Sequence, residues 1–140
     1  MAGRARIFDF AVQLDGSWDT TSDRGGTPLP GAEREAWTPE HLVLAGLARC
    51  VLTSLAFHAG RADLDVTPAA DARGTVTRRD EDGRFAFVAI EVGLDVRLEP
   101  EPPPDAVAEL TAKAERDCFV GASLTVKPAY RWIVNGREIR

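Results

Sequence analysis

The chain has 140 residues, 44% of them hydrophobic and 28% charged, with a formal net charge of −5. That length sets one domain as the expectation and allows a proper core, and the composition is that of an ordinary globular protein. The acidic balance, with no dense arginine run, argues against a nucleic-acid partner. Met1 to Arg6 is basic but no apolar stretch follows, so a secretory leader is not expected and the cytoplasm is the default location.

Arg6 to Leu14 alternates apolar and polar residues at its start and end, a strand signal. Gly16 to Gly31 is rich in Gly, Pro, Asp, Ser and Thr and reads as a long loop holding Trp18 and Arg24, with room for a short strand. Thr38 to Gly60 then reads as one helix. Thr38 suits an N-cap, Pro39 the first helical position, Glu40 the positive end of the dipole, and Gly60 a left-handed stop. From Leu42 to Phe57 nearly every residue is apolar or small, so this helix has no wet face and must be wrapped by its own chain or by a partner. Arg49 interrupts the run, which falls short of the roughly 20 residues that a membrane span needs.

Asp63 to Val66 leads into extended chain. Ala72 to Arg79, the turn Asp80-Glu81-Asp82-Gly83 and the alternating stretch Arg84 to Leu98 predict an antiparallel hairpin whose second arm is half buried. Glu99 to Pro104 cannot continue a central strand. Asp105 is the expected cap of a second, amphipathic helix, with Val107, Leu110, Ala114 and Cys118 on its apolar stripe and Gly121 as its stop. Ser123 to Val134 reads as a closing strand with Pro128 at an edge or bulge, Asn135-Gly136 as a turn, and Arg137 to Arg140 as a loose tail. The order is α+β: sheets laid on a long buried helix and an amphipathic one.

Cys50 and Cys118 stand 68 positions apart. In a reducing compartment a pair of thiols is either buried filler or a redox couple. A redox-active thiol attacks as the thiolate, and Cys50 lies too deep in its helix for the dipole to help. A cation must then assist, and Arg49 points about 100° away on a regular helix, whereas a loop residue such as Arg24 can fold over the sulfur. Ten residues of unbroken helix put Glu40 about 15 Å from Cys50. An extended arginine bridges part of that gap, or the helix breaks, or two copies pack antiparallel so that Glu40 of one approaches Cys50 of the other. The two histidines, His41 and His58, have no ligand spacing with Cys50, so no metal site is expected.

The Thr-Pro-Glu opening, the run of Leu, Ala and Gly, and Cys50 ten residues after Glu40 resemble the osmotically inducible protein C and organic hydroperoxide resistance family (OsmC/Ohr). Ala114 to Leu124 is similar to its second-cysteine segment, which ends in Ser-Leu. The chain departs from the pattern at Phe119, where the family often has proline, and at Asp23-Arg24-Gly25-Gly26, where the hydroperoxide-resistance branch has Gly-Gly-Arg. The resemblance implies an intertwined homodimer with the central helices at its heart, acting as a thiol peroxidase on organic hydroperoxides without a cofactor. Cys50 is then the peroxidatic thiol, Cys118 the resolving thiol, Glu40 the residue orienting an arginine (Arg24 by position), and the reductant a dithiol such as a lipoylated protein. The competing readings are a non-catalytic dimer holding a small apolar ligand and, behind it, a thiol-dependent acyl hydrolase, which lacks a base near Cys50 on the same helix.

Overall fold

The computed structural model describes residues 5–139. The chain divides into an N-terminal unit and a C-terminal unit that begins at Glu40. In the N-terminal unit, β1 (Val12–Leu14) and β2 (Thr20–Ser22) form a short antiparallel hairpin, and the strand expected from Arg6 is confined to its last three residues. The loop contributes the second strand. Asp15 closes the turn by accepting the Ser17 and Asp19 amides at 2.8 and 3.1 Å. A single 3-10 turn follows at Gly31–Glu33.

Helix α1 runs unbroken over Pro39–Arg61. Its 23 residues are enough by length and apolar composition to cross a bilayer, beyond what the interrupted apolar run suggested. Its core-facing row, Leu47, Val51, Leu55 and Ala59, is completely buried within the protein. Gly60 does not stop it. The left-handed residue is Asp63 (φ 58°), and the Leu64 and Asp63 amides close onto the Ala59 and Gly60 carbonyls at 2.9 and 3.1 Å in a Schellman arrangement. An aspartate tolerates that conformation better than most residues, and Leu64 at the next position packs on the core.

Strands β3 (Asp65–Arg78) and β4 (Phe85–Glu99) form the long hairpin, with Gly83 (φ 70°) in its turn and Asp82 paired to Arg79 at 2.6 Å. Along β4 the apolar phase slips between Phe87 and Ile90. The register slips at the same place: Thr75 pairs with Ala89 and Val76 with Phe87, which leaves Val88 as the extra residue of a bulge. Gly74 has no side chain there because the Phe87 ring fills the space, 2.7 Å from where a Cβ would be. Beyond the bulge Ile90, Val92, Leu94, Val96 and Leu98 are all buried against the helices.

Helix α2 (Pro104–Arg116) starts from Pro103 without a side-chain cap, so Asp105 sits in the first turn rather than at the cap. Pro104 at the first position presets φ and has no amide to satisfy, which reduces the need for a cap. The helix ends at Arg116, three residues short of Phe119, and a separate helical turn, α3 (Phe119–Ser123), follows with the extended Cys118 as its N-cap. Gly121 is therefore inside a helix and does not end one. Strand β5 (Ala129–Val134) begins after Pro128, well inside the predicted span, and runs parallel to β4. Asn135 and Gly136 take positive φ (49° and 81°), and the Asn135 side chain exchanges two bonds with the Leu98 backbone, accepting at 2.8 Å and donating at 3.1 Å. Arg137–Ile139 is not loose: it forms β6, antiparallel to β5. Arg140 lies outside the described residues. The result is an α+β fold with a four-stranded sheet in the order β3-β4-β5-β6, antiparallel except at β4–β5, and the helices packed on its apolar face.

Candidate active site

The break between α2 and α3 builds the site. Because the chain is extended at Cys118, the first amides of α3 point back at sulfur instead of at helix carbonyls. Gly121 donates to Cys118 Sγ at 3.4 Å and Val120 to Cys50 Sγ at 3.5 Å. The two donors are consecutive residues, so the sulfurs sit at neighbouring amides, and both cysteines are free thiols. The chain thus brings Cys50 and Cys118 together across 68 positions of sequence. Cys50 is half-buried on α1, whereas Cys118 is sealed from solvent.

Burial is the main cause that pushes the Cys118 thiol up from its ordinary value; the Gly121 amide pulls the other way, Cys50 adds to the rise, and the Tyr130 hydroxyl opposes it. Tyr130 is itself pushed up, first by burial and then by the charge that Cys118 would carry. Gly121 makes this crowding possible: a Cβ there would lie 2.6 Å from the Tyr130 oxygen, 3.3 Å from Cys118 Sγ and 3.5 Å from Leu47.

Behind Cys118, His58 Nε2 meets Asp117 Oδ2 at 2.7 Å, and Arg116 grips the same carboxylate at 2.9 and 2.8 Å. The Arg116 bonds hold the Asp117 carboxyl far below its ordinary value, opposed by burial and assisted by His58. This cluster ties the C-terminal third of α1 to the joint between α2 and α3. Trp132 Nε1 donates to Glu115 Oε2 at 2.8 Å and fixes α2 on β5 from the other side.

The remaining expected residues are placed as follows. Glu40 is exposed in the first turn of α1, and since the helix is continuous the broken-helix route to Cys50 is closed. Arg49 is exposed on α1. Arg24 belongs to the N-terminal unit, where its amide bonds Ser22 Oγ at 3.0 Å and its guanidinium lies 5.0 Å from the centre of the Phe10 ring. Among the described residues no three His, Cys, Asp or Glu side chains converge on a metal position. The sequence reading missed His58, Asp117, Tyr130 and the α3 amides. Asp117 directly before Cys118, and a single tyrosine in the whole chain, were the available signals.

The sequence model of the family described as OsmC-like protein matches residues 31–131, which include both cysteine segments and the helix that joins them to the sheet. The chain belongs to the OsmC-like family. Among solved structures, an OsmC-like protein of unknown function from Vibrio cholerae superposes with a TM-score of 0.68 at 14% identity, covering 91% of this chain and 100% of that one. The organic hydroperoxide resistance protein OhrB of Bacillus subtilis gives 0.59 at 22%, covering 90% and 98%. One from Legionella pneumophila, an organic hydroperoxide resistance protein OsmC, gives 0.60 at 17%, covering 93% and 98%. At these identities the likeness is one of fold, and it extends to the mixed sheet with its long central helix. Among curated proteins no sequence relative matches.

Proposed function

We propose that this OsmC-like protein is a cysteine-based peroxidase that reduces organic hydroperoxides. The observation that carries the reading is the pair of free thiols side by side, each accepting an amide from α3. Neighbours of the same fold named as organic hydroperoxide resistance proteins support the substrate class.

The difference in exposure supports a division of roles. A hydroperoxide can reach half-buried Cys50 but not Cys118, so Cys50 is the peroxidatic thiol. Its thiolate attacks the distal peroxide oxygen, the O–O bond breaks, and the alkoxide leaves to become an alcohol. Cys118 then attacks the Cys50 sulfenic acid, forming the disulfide and releasing water. An external dithiol, such as a lipoylated protein, restores both thiols by exchange. Arg24 is the proposed cation at the peroxide and Glu40 the residue that orients it.

A homodimer belongs to the same proposal. Leu42, Ala45, Gly46, Ala56 and Phe57 form an exposed, mostly apolar or small flank on α1 around Arg49 and Thr53, and Phe57 is 59% exposed. Two such helices packed antiparallel would cover each other's flank and bring Glu40 of each copy toward Cys50 of the other, which the length of one unbroken helix denies within a copy.

The test is consumption of an alkyl hydroperoxide with dihydrolipoamide as reductant. Turnover is expected in the native protein and none in Cys50→Ser. Equal consumption by both proteins, or by neither, contradicts the proposal, and in the second case the non-catalytic ligand-binding reading takes its place.

A further inference from the structure

Tyr130 is the chain's single tyrosine, half-buried on β5 opposite Val92 of β4. Its hydroxyl and the Cys118 sulfur converge over the bare Cα of Gly121, 2.6 and 3.3 Å from the point a Cβ would occupy. The hydroxyl works against the rise that burial imposes on that thiol. We propose that Tyr130 is a catalytic residue of the resolving step, its hydroxyl donating a hydrogen bond to the Cys118 thiolate as that sulfur attacks oxidised Cys50. This rests on the reading of the two cysteines as a redox pair.

The need arises from burial. Cys118 must ionise to attack, yet it is sealed from water, which would otherwise solvate the charge. The Gly121 amide donates to it at 3.4 Å, and the Tyr130 hydroxyl lies beside it at the Gly121 Cα, placed to be the second donor. The phenol is suited to the second place because burial and the neighbouring sulfurs keep it protonated where a thiol ionises, so it remains a donor throughout. In the step itself Cys118 loses its proton and its thiolate attacks the sulfenic sulfur of Cys50. The S–S bond forms as the S–O bond breaks, and the departing hydroxide takes up a proton to leave as water. Cys118 is oxidised, the Cys50 sulfenic acid is reduced, and Tyr130 neither gains nor loses a proton.

Tyr130→Phe keeps the ring and removes only the donor. In a Cys50→Ser background, where no oxidant is needed, the Cys118 ionisation midpoint read from its Cβ chemical shift is expected to rise by about one pH unit, the value of one ordinary hydrogen bond. With Cys50 present and an alkyl hydroperoxide as oxidant, sulfenate formation is expected to keep its rate while disulfide formation slows about tenfold near neutral pH. The deficit should close as pH rises past the Cys118 midpoint. An unmoved midpoint with an unchanged disulfide rate overturns the inference, and so does equal slowing of both steps, which would mark a packing role. Cys50 left unoxidised in both proteins sinks the peroxidase reading alone, because the oxidant-free midpoint still upholds or overturns the hydrogen bond.

Discussion

Helices α1 and α2 pack on the same sheet, but they complete themselves differently. Helix α2 buries Val107, Leu110, Thr111 and Ala114 and turns Glu109 and Lys113, paired at 2.9 Å, toward solvent. Helix α1 buries Leu47, Val51, Leu55 and Ala59 just as tightly, yet its opposite flank sets Leu42, Ala45, Gly46, Ala56 and Phe57 around only Arg49 and Thr53, and nothing in the C-terminal unit covers it. The contrast separates a helix that is finished by water from one whose flank the proposed second copy would cover. It also places Cys50 at the edge between the buried and the open side of α1, where the proposed substrate and the Cys118 sulfur could both be reached.

The sharpest way to break the comparison is to put one charge on each helix's exposed side. Ala56→Glu on α1 is expected to dissociate the proposed dimer, weakening association by at least about a hundredfold because a buried unpaired charge costs about 3–5 kcal/mol. Ala112→Glu on α2 is expected to change nothing, and sedimentation of both variants reads the difference. On the buried side, Leu47→Ala removes a fully enclosed side chain beneath Gly121 and is expected to cost about 2–5 kcal/mol in denaturant unfolding.

A smaller effect is expected from Gly121→Ala, whose methyl collides with the Tyr130 hydroxyl and presses on Cys118; about 1–3 kcal/mol of stability should go, and disulfide formation should slow with it. Trp132→Phe keeps most of the ring and removes the bond to Glu115, for about 1–2 kcal/mol by the same unfolding measurement. Asp117 gives the mildest signal. Its folded carboxyl titrates below its ordinary 3.8, so its stabilisation is present above that value and is lost as pH falls below it. Asp117→Asn should lower stability modestly across the neutral range and flatten the acid limb, so that the two profiles converge at low pH.

Much of this architecture was legible in the sequence wherever one rule governed an element. Alternation along β4, the Asn135-Gly136 turn and the apolar row of α2 each carry their period in plain view. The expectations that failed lay where two rules compete. Gly60 and Gly121 are both reasonable helix stops, but Asp63 takes the left-handed turn, and Gly121 is needed small because Tyr130 and Cys118 crowd it. The apolar stripe of α2 points straight through Cys118, and nothing local announces that the helix ends before it. The two cysteine segments were readable from the sequence, while the amides that face the sulfurs come from that break and have no side-chain signature.

The most direct measurement is a free-thiol count and intact mass on fully reduced protein after one equivalent of an alkyl hydroperoxide. Both thiols are expected to be lost with a mass decrease of two hydrogens, and no disulfide is expected in Cys50→Ser. Two thiols still free after prolonged exposure would contradict it.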